Sequence, residues 1–157
     1  MILATVGTQL PFPRLMTALN DLAPDLEEPV IAQTGPDEGQ YAALDCRPSL
    51  APAEFSRLFQ EARVVVAPAG LGTILSARKW HKPLVILPRR HDLQEHRNDH
   101  QLATARHVAA LPGIHVAWTE EALDALLTAQ DLSPADETPG QASQPLLERL
   151  RDFIDKA

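Results

Sequence analysis

The stretch RRHDLQEHRNDHQL, residues 89–102, gathers three of the six histidines of the chain, His91, His96 and His100, with Asp92, Glu95 and Asp99. Such a segment can be a metal site, a catalytic loop or a solvated turn. His96 and His100 stand four apart, which on one helix would place both on one face as metal ligands. Asn98 followed by Gln101 reads as a capping box, however, and predicts a helix starting at about Asp99. His96 then precedes the helix and the shared face is lost. With no H-E-x-x-H and no cysteine pair, no metal is expected. A serine nucleophile would need G-x-S-x-G, which is absent. What remains is a loop with hydrogen-bond groups of both kinds: Glu95, His96, Asn98, Asp99, His100 and Gln101. Carboxylates bind sugar hydroxyls, while N–H groups and imidazoles face phosphates. A sugar nucleotide asks for that combination.

A second candidate is the turn AGLGT, where Gly70 and Gly72 come just ahead of a helix with Thr73 near its first turn. Free N–H groups and a partial positive charge at a helix start suit phosphate. The turn is neither a Walker loop nor G-x-G-x-x-G, since Leu75 stands where the third glycine belongs. A tight connection and a ligand cradle are both consistent with it. Arg78, Lys79, Lys82, Arg89 and Arg90 form one basic neighbourhood, readable as a phosphate-holding patch, a contact for an anionic surface or a solvated face. Cys46 reads as a small, partly buried residue.

These residues need elements to position them. ILATV (2–6), PVIAQ (29–33), RVVVAP (63–68), PLVILP (83–88) and IHVAW (114–118) read as strands buried on both faces of a parallel sheet, with YAALDC (41–46) weaker. Helical patterns fill the gaps at 11–23, 51–62, 72–80, 98–111 and 119–129, the last with Thr119 as its cap. Strand–helix alternation predicts an α/β layered fold, in which ligands bind at the carboxyl ends of the strands. The polar stretch 130–144 reads as a linker after a domain spanning 1–129, and 145–157 as a final amphipathic helix. At 157 residues the chain suits one domain, and its single cysteine suggests a cytoplasmic setting. A net charge of −7 without a basic stripe argues against nucleic acid as a partner. No segment approaches the length of a membrane span, and the start of the chain lacks the basic region of a signal peptide.

VGTQLPFPRL, APAGLGTIL, KPLVILPR and EHRNDHQ, in this order and spacing, resemble the C-terminal domain of family 28 glycosyltransferases, nearest to short, single-domain members of the Alg13, PssE and EpsF type. The similarity runs from residue 1 to about 127. It implies a Rossmann-like, three-layer domain with a mainly parallel sheet, equivalent to the donor half of a GT-B glycosyltransferase. By position it implies that Gly7 and Thr8 lie near the donor phosphates, that Gly70, Leu71, Gly72 and Thr73 form the glycine turn, and that His100 and Gln101 approach the sugar. Glu95, Asn98 and Asp99 complete the donor loop, with Glu95 and His96 as possible contributors to catalysis.

The resemblance further implies an inverting hexosyl or N-acetylhexosaminyl transfer from a UDP-sugar, without cofactor or metal. The acceptor would be lipid-linked, in exopolysaccharide or other glycan assembly. In the short members the acceptor half is a separate, membrane-associated protein of the Alg14 or PssD type, which recruits its partner to the inner face of the membrane and supplies the general base. The chain departs from the family at three positions. Pro68 replaces the usual His before the glycine turn, and His81 replaces a frequent Gly before Lys82-Pro83. Ser76 replaces a Glu that holds the ribose hydroxyls, a loss of about 1.5–3 kcal/mol, or roughly tenfold to hundredfold in affinity. These departures leave an alternative: a non-catalytic nucleotide-sugar-binding or scaffolding subunit.

Overall fold

The computed structural model describes residues 1–7 and 10–136, so Thr8 and the helix expected at 145–157 lie outside the described residues. Six strands, β1 (Ile2–Thr5), β2 (Val30–Gln33), β3 (Asp45–Arg47), β4 (Val64–Ala67), β5 (Leu84–Ile86) and β6 (Ile114–Val116), form one parallel sheet. Their order is β3-β2-β1-β4-β5-β6. Among the described residues the α-helices are α1 (Pro13–Leu22), α2 (Pro52–Glu61), α3 (Leu71–Lys79), α4 (His100–Val108) and α5 (Glu120–Thr128).

Side chains alternate across a strand, so each apolar run feeds two cores. Ile2, Ala4, Val64, Val66 and Val85 meet Leu15 and Leu19 of α1 and Leu123 and Leu127 of α5 on one face. Leu3, Val65, Leu84 and Ile86 meet Leu58 and Phe59 of α2, Ile74 and Ala77 of α3, and Ala105 and Val108 of α4 on the other. That double coverage is why these strands read as continuous hydrophobic runs, and it produces a three-layer, Rossmann-like domain with an all-parallel sheet. Pro13 and Pro52 sit in first helical turns, where a missing N–H breaks no bond, and Thr119 caps α5 by accepting from Ala122 N at 3.2 Å.

Two expectations are corrected, and the first residues of the stretch expected as a linker are described. The strand expected at 41–46 forms only at Asp45–Arg47, because Tyr41 O instead closes a turn with Leu44 N at 3.0 Å. The capping box does not form: α4 begins at His100, Asn98 Oδ1 accepts from His100 N at 3.0 Å, and the Gln101 side chain reaches other loops. The stretch from 130 is not free over its described part. Ala135 is fully buried and donates its N–H to Lys82 O at 3.1 Å, while Arg78 Nε donates to Asp136 O at 2.9 Å. Gly113, at φ +77°, faces this segment so closely that a Cβ there would collide with the backbone of Pro134 and Ala135. Polar composition alone cannot distinguish a solvated linker from a strap held by backbone hydrogen bonds.

Candidate functional site

The order in which strands are added to the sheet reverses between β1 and β4, which pair in parallel with Ala4 beside Val66. In parallel sheets of this kind the crevice beyond the carboxyl ends at such a switch point is where ligands bind. Two adjoining cavities open there, of about 510 and 270 Å3, and both are bordered by Thr5, Gly7 and Thr73, so they form one cleft.

The larger cavity lies between the β2 and β3 ends and helices α2 and α3. Gly72, Thr73, Ser76 and Trp80 line it from one face of α3 and the residue that ends it, with Phe55 and Ser56 opposite. Phe55 and Trp80 both lean on Phe59, with ring centroids 5.7 and 5.1 Å from it, so the apolar end is held in place. Gly70 and Gly72 have no backbone need for glycine. Gly70 has φ −99°, and a Cβ at either position would meet nothing within 4 Å. Their effect is to leave the N-terminal turn of α3 bare toward the cleft.

The smaller cavity is bordered by Gly7, Gly70, Arg89, His96 and Gln101. Here the polar side chains are engaged with backbone. Arg89, 3% exposed, donates to Pro11 O at 2.6 Å and to Val6 O and Leu10 O at 2.9 Å, and its guanidinium lies 4.6 Å from the Phe12 ring centroid. Burial pushes it below the ordinary arginine range, and the nearby Glu95 charge only partly opposes this. Arg89 thus holds the β1–α1 loop in the conformation that Gly7 allows at φ +84°. Gln33, buried at the end of β2, supports the same loop: Nε2 donates to Gly7 O at 3.0 Å and Oε1 accepts from Thr5 Oγ1 at 2.6 Å.

Glu95 forms a bidentate pair with Arg14, whose Nε and Nη2 donate to its two oxygens at 2.8 and 2.9 Å, and it also accepts from Arg90 N at 3.1 Å. Its carboxylate is therefore a structural anchor and not a free base. Asp99 Oδ1 accepts from His91 N at 3.1 Å and holds the turn before α4. Asn98 Oδ1 accepts from His100 N and from His96 Nδ1, the latter at 3.2 Å. The His100 N–H can only donate, which fixes the Asn98 amide, so the proton sits on Nδ1 and a neutral His96 ring carries its lone pair on Nε2. Gln101 Oε1 accepts from Ala69 N at 3.2 Å and Arg89 N at 2.8 Å, tying the glycine turn to the loop that follows β5. Both partners are N–H donors, so its Nε2 is the group left for the cavity that Gln101 lines.

Of the residues singled out in the sequence, Gly7, Gly70, Gly72, Thr73, His96 and Gln101 come together on the cleft. Leu71 packs against the core on the α2–α4 face. Glu95 lines neither cavity of the cleft but an adjoining surface depression that shares Leu10 and His96 with the smaller one, and Asn98, Asp99 and His100 line none of the three. The single basic patch dissolves. Arg78 and Lys82 donate to Asp136 O and Ala62 O, Arg90 pairs with Asp92 at 2.7 Å, and Lys79 lies over the Trp80 ring. Gln33, Ser49, Phe55, Ser56 and Trp80 of the larger cavity were missed. The signal was positional, since QTG and RPSL follow strands β2 and β3 and share the carboxyl edge with the motifs. Among the described residues no group of His, Cys, Asp and Glu is arranged to hold a metal ion, and no helix is long and apolar enough to cross a membrane.

Residues 1–156 match the glycosyltransferase family 28 C-terminal domain. The chain belongs to that family. Among solved structures, MurG of Acinetobacter baumannii superposes with a TM-score of 0.61 at 20% identity, over 96% of this chain and 49% of MurG. The solution structure of ALG13 gives 0.60 at 19% identity, over 95% of this chain and 94% of ALG13. The glycosyltransferase of kitacinnamycin gives 0.59 at 18%, over 99% of this chain and 40% of its own. The family 28 domain thus spans less than half of two of these relatives and nearly all of the third. No curated protein matches the sequence.

Proposed function

We propose that this family 28 domain is the donor-binding subunit of a two-component, UDP-sugar-dependent glycosyltransferase acting on a lipid-linked acceptor in exopolysaccharide or other glycan assembly. One observation carries the reading. The bare N-terminal turn of α3 borders both cavities, with the buried Arg89 cation and Gln101 of α4 on one side of it and an apolar, aromatic wall on the other. A diphosphate fits the first side, where helix N-terminal N–H groups and a fixed positive charge meet. A nucleoside fits the second. The fold likeness to ALG13 supports reading this domain as one that works with a separate, Alg14- or PssD-like protein as its acceptor half.

In the reaction, an acceptor hydroxyl oxygen attacks the anomeric carbon as the bond from that carbon to the diphosphate oxygen breaks. UDP leaves with the electron pair, and the hydroxyl proton passes to a general base. The α3 N-terminus and Arg89 favour the departing charge. Glu95 is held by Arg14, so within this chain His96 Nε2 is the remaining candidate base, and the partner is the expected source. Work at the inner membrane face follows from recruitment by that partner. The rival reading, a binding or scaffolding subunit with a weakened donor site, is favoured by Ser76 in the cavity wall. Calorimetric titration of the chain with UDP tests the donor site itself. Saturable binding at micromolar to sub-millimolar UDP supports it, and no heat up to several millimolar UDP removes it. Sugar transfer with a co-expressed acceptor-domain partner then separates enzyme from scaffold.

A further inference from the structure

Along the larger cavity, α3 acts as a ruler. A rise of about 1.5 Å per residue places Ser76 roughly 6 Å beyond Gly72, and Trp80 roughly 12 Å beyond it. With a diphosphate at the bare N-terminal turn, the pentose lies beside Ser76 and the base beside Phe55 and Trp80. Among the described residues no charged side chain lines this cavity, and the hydroxyls that flank the pentose position are those of Ser49, Ser56 and Ser76. The nearest acid in sequence, Glu54, is bound to Arg47 at 2.6 Å and does not line it. The Gln33 amide, which could also meet a pentose hydroxyl, is engaged with Thr5, Gly7 and Pro48.

A pocket rejects a ligand lacking one hydroxyl strongly only when the missing group strands a buried polar partner. A serine hydroxyl in a half-open cavity turns to another acceptor or to water, so it strands nothing. From this we infer that the cleft does not discriminate ribose from 2′-deoxyribose, and that the protein accepts 2′-deoxyribonucleoside diphosphate sugars about as well as ribonucleoside diphosphate sugars. The inference rests on the donor-site reading above and narrows it: the pentose is recognised by shape and the diphosphate by charge.

The test compares UDP with 2′-deoxy-UDP, which differ by one oxygen, by calorimetry on the full 157-residue chain. Dissociation constants within about tenfold of each other are expected, the range of one neutral hydrogen bond. Ser76→Glu and the shorter Ser76→Asp, checked for folding by circular dichroism, place a carboxylate at the pentose and should widen the preference for UDP by at least about tenfold. UDP binding at least a hundredfold tighter than 2′-deoxy-UDP to the unaltered protein overturns the inference and leaves the donor site standing. Binding of neither overturns both. An unchanged ratio in both folded variants also overturns it, because the pentose then does not lie beside Ser76.

Discussion

The two sides of the cleft are built on opposite plans. On the α4 side nearly every polar side chain is tied down. Arg89 holds three carbonyls of the β1–α1 loop, Arg14 and Glu95 clamp each other, and Gln101 joins two loops through one oxygen. On the α2–α3 side the wall is neutral, with hydroxyls, two aromatic rings and two glycines whose missing Cβ atoms leave space. The first side makes the geometry, and the second leaves room for something to enter. Charge density in a segment is therefore a poor guide to where a ligand sits. The charged residues here position loops, and bland ones border the cavity.

The largest effect expected from breaking this contrast is at Arg89. Arg89→Met removes the donors to the carbonyls of Val6, Leu10 and Pro11 inside a site where the arginine is 3% exposed. Leaving buried carbonyls unsatisfied costs about 1–3 kcal/mol each, so a loss of roughly 3 kcal/mol or more in unfolding free energy is expected in urea titrations, with UDP binding lost as the β1–α1 loop relaxes. A variant within about 0.5 kcal/mol of the unaltered protein would show that Arg89 is not the anchor of that loop.

Next comes the Arg14–Glu95 pair, whose side chains are 14% and 8% exposed. Glu95→Gln and Arg14→Met should each cost about 2 kcal/mol, and a double-mutant cycle should return a coupling of roughly 1–2 kcal/mol. Because Glu95 is an anchor, sugar transfer by Glu95→Gln should fall only as far as folding does. A loss of turnover by a thousandfold in a fully folded Glu95→Gln protein would restore it as a catalytic base.

Gly72→Val sharpens the contrast from the other side. A Cβ at Gly72 meets nothing within 4 Å, and valine suits a helix no worse than glycine, so stability should change by less than about 0.5 kcal/mol. The same side chain covers the N-terminal turn of α3, and UDP affinity should drop about tenfold or more in calorimetry. Gln101→Ala is the mixed case: it leaves Ala69 N and Arg89 N without their acceptor, so about 1–2 kcal/mol of stability should go together with affinity.

The fold was legible because parallel strands buried on both faces leave an apolar signature that periodicity alone detects. All five strong strand runs appear, as do the five helices expected within the described residues, with ends trimmed by one to three residues at most edges. The site was legible at its glycines, at Thr73, His96 and Gln101, where junction motifs coincide with the switch point. It was illegible at Glu95 and Asp99, because sequence does not reveal that Arg14, eighty-one positions away, takes up the first carboxylate, or that the His91 N–H takes up the second. Phe55 and Trp80 were hidden for the opposite reason. Each sits at helical spacing beside core residues, and only the packing on Phe59 turns them toward the cavity.

The smallest effect tests whether the neutral side carries any strain of its own. α3 ends in a Schellman turn, with Lys82 N donating to Ala77 O at 2.9 Å and His81 at φ +54°. Glycine is at ease there, whereas any residue with a Cβ is held in the left-handed region at a cost of about 1 kcal/mol. The exposed His81 side chain offers no cavity contact to offset this. Part of the gain from His81→Gly is returned through the greater freedom of glycine in the unfolded chain. A net stabilisation of about 0.5–1 kcal/mol is expected, seen as a higher urea midpoint at unchanged slope, with UDP affinity unaltered. If the variant is instead destabilised, the imidazole makes a contact that outweighs the backbone strain, and α3 is stapled at its carboxyl end as firmly as the Arg89 loop is stapled at the other side of the cleft.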